Sequence, residues 1–162
     1  MIRLLKYILL FLAFVVVETE NVGAKDIALS PEPALSPKEV VQIQLNALKS
    51  EDQKDIRFGL LKTWQFAHPR NKSITGPFKR FSKMITKTAY SILLNHQSHN
   101  ILVLEERSDR AFYKVEIVSK TVRLFSVDWA VSIVKLGKFK DCWMTSDVSL
   151  PVLQGKLSLI HI

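Results

Sequence analysis

A change of hydrophobic period near Asn100 divides this chain and limits what it can fold into. Before it, apolar residues recur at intervals of three and four; after it, they recur at every second position. In "TVRLFSVDWAVSIVK", Phe125, Val127, Trp129, Val131 and Ile133 alternate with Leu124, Ser126, Asp128, Ala130 and Ser132, which predicts a long strand with one face on a core. Asp128 then points away from the Trp129 face. Residues 100–105 and 111–118 read as two earlier strands joined around Arg107-Ser108-Asp109-Arg110, and Ser119-Lys120 turns the second back into the long one. A fourth strand over 140–148 follows the Leu136-Gly137-Lys138 turn.

The helical half carries its own punctuation. In "SPKEVVQIQLNALKS", Ser36 is an N-cap, Pro37 fits the first helical position and Glu39 completes a capping box, while Val41, Leu45 and Leu48 share one face. A second helix from near Asp52 gathers Ile56, Leu60, Leu61 and Trp64 on one stripe. It must end before Pro69, which disfavours helical backbone at His68. A third helix starts at Pro77, capped by Thr75 or Gly76, with Phe78, Phe81 and Ile85 on one side and Lys79, Lys83 and Lys87 on another. "HPRNKSITGP" between these two reads as a ten-residue connecting loop, longer than most and of the kind that carries function. Helices first and a meander of strands afterwards define an α+β domain, its N-terminal helices packed on one face of a curved four-stranded antiparallel sheet.

Residues 1–24 stand apart from that domain. Arg3 and Lys6 precede an unbroken apolar run from Tyr7 to Val17, and Val22-Gly23-Ala24 offers small residues to a signal peptidase. The run falls short of the roughly 20 residues that span a bilayer, and Glu18 and Glu20 close it. A signal peptide cleaved after Ala24 is expected. The exported chain, periplasmic or secreted, would then comprise a linker at 25–35, the domain at 36–152 and a variable tail at 153–162. Cys142 is the single cysteine, so stability rests on packing and not on an internal disulfide, and its strand-like setting makes it a small buried hydrophobe.

The net charge of +8 is local. Residues 54–87 hold nine lysines and arginines against Asp55 alone, while the other segments nearly cancel. A surface of this sign attracts anionic lipid headgroups, acidic polymers or phosphorylated small molecules. No nucleic-acid-binding module can be read, and nucleic acid is not an expected partner.

Four stretches taken together resemble the uncharacterised family DUF4864: "LSPKEVVQIQLNAL", "WQFAHPRNKSITGPFKRFSKMI", "LLNH" at 93–96 and "DCWMTSDVS" at 141–149. The likeness spans residues 35–152. That family is grouped with the NTF2-like, or SnoaL-like, folds, so the resemblance implies a cone in which helices fold over a strongly bent sheet and enclose a pocket. It implies no reaction, because the family has no established activity. Domains of this fold often pair through the outer sheet face, which implies a homodimer involving Leu124, Ala130 and Val134 beside Asp128 and Ser132.

Chemistry-bearing residues are sparse. His96 and His99 are spaced to share one side of a helix, and would need His68 or Asp141 as a third metal ligand. Without a nearby carboxylate or cysteine the metal reading gives way to another, in which the Asn95 and His96 side chains hydrogen-bond backbone groups where helices give way to sheet. No metal and no other cofactor is expected. Pocket enzymes of NTF2-like fold use Asp, His or Tyr, which would point to His68, Tyr90, His96, Tyr113 or Asp141 here. No spacing identifies a dyad, and neither a nucleophile elbow nor a glycine-rich phosphate loop is present. If the 68–77 loop caps the open end of the cone, Arg70, Lys72 and Arg80 would hold an anionic head whose body lies against Trp64, Phe66, Phe78 and Trp129, with Asn95 and His96 as further ligand contacts. The expected function is therefore non-catalytic binding of a small anionic or amphipathic ligand, or of a protein partner. The alternatives are a pocket isomerase, dehydratase or hydrolase using His96, His68 or Tyr90, and an envelope protein whose basic helix docks peripherally on anionic lipid.

Overall fold

The structure, a computed structural model, describes residues 30–49 and 53–156. The signal peptide, the start of the linker and the last residues of the tail lie outside them. Helix α1 (Pro37–Leu48) begins as its sequence dictates. The Ser36 hydroxyl accepts from the Glu39 amide at 3.3 Å, and the Glu39 carboxylate accepts from the Ser36 amide at 2.8 Å. Its buried face is Val40, Val41, Ile43, Gln44, Leu45 and Leu48. Helix α2 (Gln53–Gln65) packs on it through Gly59, where any side chain would overlap the Ala47 carbonyl oxygen. Leu60 is buried in the α2 stripe, whereas Leu61, about 100° further round the helix, faces solvent.

The ten-residue loop expected at 68–77 is instead largely helical. Helix α3 (Pro69–Thr75) forms because His68 and Pro69 act as start signals: His68 Nδ1 accepts from the Arg70 amide at 3.1 Å, and Pro69 occupies a first-turn position that needs no amide. The extended backbone that a proline imposes on its predecessor is also what an N-cap requires, and His68 has ψ 144°. α3 ends at Gly76, at φ 81°. Helix α4 (Phe78–Lys87) follows with Pro77 as its N-cap, in place of Thr75 or Gly76, and buries Phe81 and Ile85. A 3-10 turn, Ala89–Leu93, then leads through Asn95 at φ 54° into the sheet.

Strands β1 (Ser98–Glu106), β2 (Arg110–Val118), β3 (Arg123–Ile133) and β4 (Trp143–Val148) pair in that order, all antiparallel. β1 starts before Asn100, and β4 starts later than residue 140 because the chain is still turning at Asp141, φ 63°. A fifth strand, β5 (Val152–Lys156), makes the sheet five-stranded where the sequence reading had four, and takes in residues 153–156 of the expected tail; residues 157–162 lie outside the described ones. β3 is long enough for one edge to hold β4 along Trp129–Ile133 and β5 along Arg123–Ser126. Bulges interrupt the register at Val103/Glu105, Leu124/Phe125 and Ala130/Val131. The outer edge of β4 is covered by the chain between α2 and α3: the His68 amide donates to Thr145 O at 2.8 Å, and the Thr145 amide donates to Phe66 O at 2.9 Å.

The fold is thus α+β, with four helices and an open antiparallel sheet of five strands among the described residues. The sheet face carrying Tyr113, Val115, Ile117, Val127, Trp129 and Val131 is buried, and Asp128 is exposed on the other, as the alternation predicts. Packing starts earlier in the chain than the linker reading places it, since Pro31 is buried and Leu35 belongs to the core. Val134, expected on the outer sheet face, is buried with Cys142 and Met144 in a second small cluster, where Cys142 behaves as the buried hydrophobe expected.

The Gly59 contact generates a test. A methyl group there forces α1 and α2 apart, so Gly59→Ala is expected to lower stability by about 2–3 kcal/mol through overpacking, read as a shifted midpoint in urea unfolding.

Candidate functional site

Where the helices meet β3 and β4, a cleft of about 240 Å³ opens. Its floor is apolar and buried, with Leu48, Phe81, Ile85, Leu93 and Trp129. Its mouth is formed by Asn71, Ile74 and Thr75 of α3 and by Tyr90, Asp147 and Val148. Asn71, Ile74 and Thr75 fall on one helical face by their three- and four-residue spacing. Asn71 Nδ2 donates to Ser146 O at 3.1 Å, which ties that face to β4. Ile74 is 66% exposed at the rim.

Through the same floor runs a buried polar chain, for Gln44, Thr63 and Thr145 line the cleft as well. Trp129 Nε1 donates to Thr145 Oγ1 at 3.0 Å, and the Thr145 hydroxyl donates to Gln44 Oε1. Gln44 Nε2 donates to Thr63 O at 2.9 Å, and Thr63 Oγ1 donates to Gly59 O at 2.8 Å. β3, β4, α1 and α2 are thereby linked through groups that satisfy one another. At the mouth, Tyr90 Oη donates to Val148 O at 2.9 Å. Burial, and then the charge of Asp147, raise the Tyr90 phenol above its ordinary pKa.

Of the residues singled out from sequence, Tyr90 and Trp129 line this cleft; the others lie elsewhere. Phe66 is fully buried core. Trp64 meets Phe78 edge to face at 6.0 Å between ring centroids, and its buried Nε1 has no hydrogen-bond partner among the described residues. The Lys72 ammonium sits 4.6 Å over the Trp64 ring and 5.5 Å over that of Phe139, and donates to Gln65 O at 3.1 Å. Burial lowers its pKa. Arg70 and Arg80 are exposed, and neither reaches the cleft. Arg70 borders a separate open trough with Arg110, Lys135 and Asp109, which Asp147 also borders. His68 spends its ring on the α3 cap and on the backbone of Ile133; burial, then the charge of Arg70, lower its pKa. Tyr113 is buried and its hydroxyl bonds the Glu106 carboxylate; burial, then that carboxylate, raise its pKa. Asp141 is exposed in the turn before β4.

His96 and His99 do come together, though not on a helix. His96 is buried just before β1 and His99 lies within it. His96 Nε2 and His99 Nδ1 are 2.7 Å apart, His96 Nδ1 is 2.7 Å from Leu93 O, and His99 Nε2 is 2.6 Å from Gln42 Nε2. One assignment satisfies every contact: the Gln42 amide donates to His99, His99 Nδ1–H donates to His96, and His96 Nδ1–H donates to Leu93 O. Both rings are then neutral. Two nitrogens on one tetrahedral zinc ion stand roughly 3.3 Å apart, so the pair is a hydrogen-bonded one. No group of three metal-ligating side chains exists among the described residues. Asn95 serves the backbone only through its amide, which donates to Leu48 O at 2.9 Å; its buried Oδ1 has no hydrogen-bond partner among the described residues.

Sequence reasoning missed Gln44, Asn71, Thr75, Thr145 and Asp147. Gln44 had a legible signal, a polar residue within the apolar face of α1. Comparison of the chain with protein-family models, with curated proteins and with solved structures returned no match. No helix among the described residues is long and apolar enough to cross a membrane.

The histidine pair predicts a pH dependence. Burial, then the neighbouring His96 and Lys49, hold His99 down to about 4, against an ordinary 6.5, and burial also lowers His96. The unfolded chain therefore takes up protons between pH 6.5 and about 4 that the folded chain does not, so stability falls as the pH drops through that window. Urea unfolding at pH 7.5, 6 and 4.5 is expected to show this loss, with a shallower slope in His99→Asn.

Proposed function

We propose that this chain is an exported NTF2-like domain of the DUF4864 kind that binds a small amphipathic ligand in the cleft between its helices and sheet, without catalysing a reaction. The observation that carries this reading is the cleft: about 240 Å³, with an apolar buried floor and a polar mouth. For scale, an apolar cavity of about 150 Å³ holds benzene. The one-sided helical layer and the three bulges, which bend strands, support the cone. Binding is favoured over turnover because Tyr90, His68 and His96 have their polar atoms engaged by backbone groups or by His99. The probe for this reading is 1-octanol, titrated while the Trp129 indole and the Leu93 and Ile85 methyl signals are followed by NMR. Saturable binding is expected with a Kd of about 0.1–1 mM, weakened at least tenfold in Met84→Trp, which enlarges another side chain that lines the cleft. Absence of saturable binding rules the reading out.

A second reading rests on α4. Its exposed residues are Lys79, Arg80, Lys83 and Lys87, and none forms an ion pair among the described residues. Such a face suits peripheral docking on anionic lipid. Flotation with phosphatidylglycerol vesicles should recover the protein at about 0.05 M salt and lose it at about 0.5 M; attachment that survives the higher salt argues against it.

A further inference from the structure

Resting on the cleft as a ligand site, we propose that its ligand is a small apolar amine, held by a hydrogen-bond-donating head at the mouth and not by a carboxylate or phosphate. The argument is a count of protons. In the floor, the Trp129, Thr145 and Thr63 donors are all used within the buried chain, as is one N–H of Gln44; the other N–H of Gln44 is the single donor left there, among apolar side chains. At the mouth, the Tyr90 proton goes to Val148 O, the Thr75 hydroxyl donates to Asn71 O at 3.0 Å, and one Asn71 N–H goes to Ser146 O. What remains is the second N–H of Asn71 against acceptors: the free lone pairs of Tyr90 and Thr75, Asn71 Oδ1 and the Asp147 carboxylate. The Asp147 carboxylate has no ion pair or hydrogen bond among the described residues. No lysine, arginine or histidine lines the cleft.

An anionic head placed here meets lone pairs and a carboxylate, while an ammonium brings three donors to that same set. The positive charge of the chain does not alter this, because its carriers are engaged or face away: Lys72 is stacked on Trp64, and Arg70 and Arg80 do not line the cleft. At about 30 Å³ per small group, the cavity holds a body of roughly eight carbons.

Octylamine, 1-octanol and octanoate, titrated calorimetrically into the purified chain at pH 7 and 0.15 M salt, test this. Octylamine is expected to bind at least tenfold more tightly than octanoate, with octanol between them. Asp147→Asn, an exposed position, should abolish the advantage of the amine over octanol while leaving the melting temperature unchanged. Octanoate binding as tightly as octylamine overturns the donor head and leaves the cleft reading standing. An amine advantage that survives Asp147→Asn overturns the assignment of the head to this mouth. Failure of all three probes to bind overturns both readings.

Discussion

Thr145 is where the layers of this molecule are joined. Its hydroxyl donates to Gln44 of α1 and accepts from Trp129 of β3, while its amide and carbonyl bond Phe66 and His68 at the junction of α2 and α3. A single buried residue of β4 therefore fixes three other pieces of chain. Each donor or acceptor left buried without a partner would cost about 1–3 kcal/mol, so the arrangement holds as a unit. The cleft follows from it: the same contacts set the depth of Trp129 in the floor and the place where α3 begins at the mouth.

The local parts of this design are readable residue by residue. The Ser36 and Glu39 cap, the apolar face of α1 and the alternation around Trp129 depend on neighbours within a few positions, and they stand where the sequence puts them. His68-Pro69 shows where local reading becomes ambiguous. Proline extends the residue before it whether a helix is ending or starting, and His68 is held at a start because its amide bonds Thr145, far away in the chain. The loop reading failed for that reason, and α3, with half of the mouth, went unseen.

The residues in and around the cleft were harder still, because their roles depend on partners remote in sequence. Lys72 reads as a surface cation, yet its ammonium lies over the rings of Trp64 and Phe139. Gln44 and Thr145 are ordinary polar residues until they meet. Charge alone misleads in the same way: the basic segment 54–87 contributes Asn71, Ile74 and Thr75 to the cleft and none of its cations. His96 and His99 were legible as a pair, but their tautomers are set by Gln42 and Leu93, which spacing does not reveal.

Gln44 and Thr145 are 101 residues apart. A chain emerging from its N-terminus forms the buried face of α1 long before β4 exists, and carries Gln44 on it without the hydroxyl it needs. Contacts of such long sequence separation are slow to close, and until they do the apolar surfaces stay open to other chains. The late strands are the ones that lock the early helices, so the native core closes only once β4 is in place.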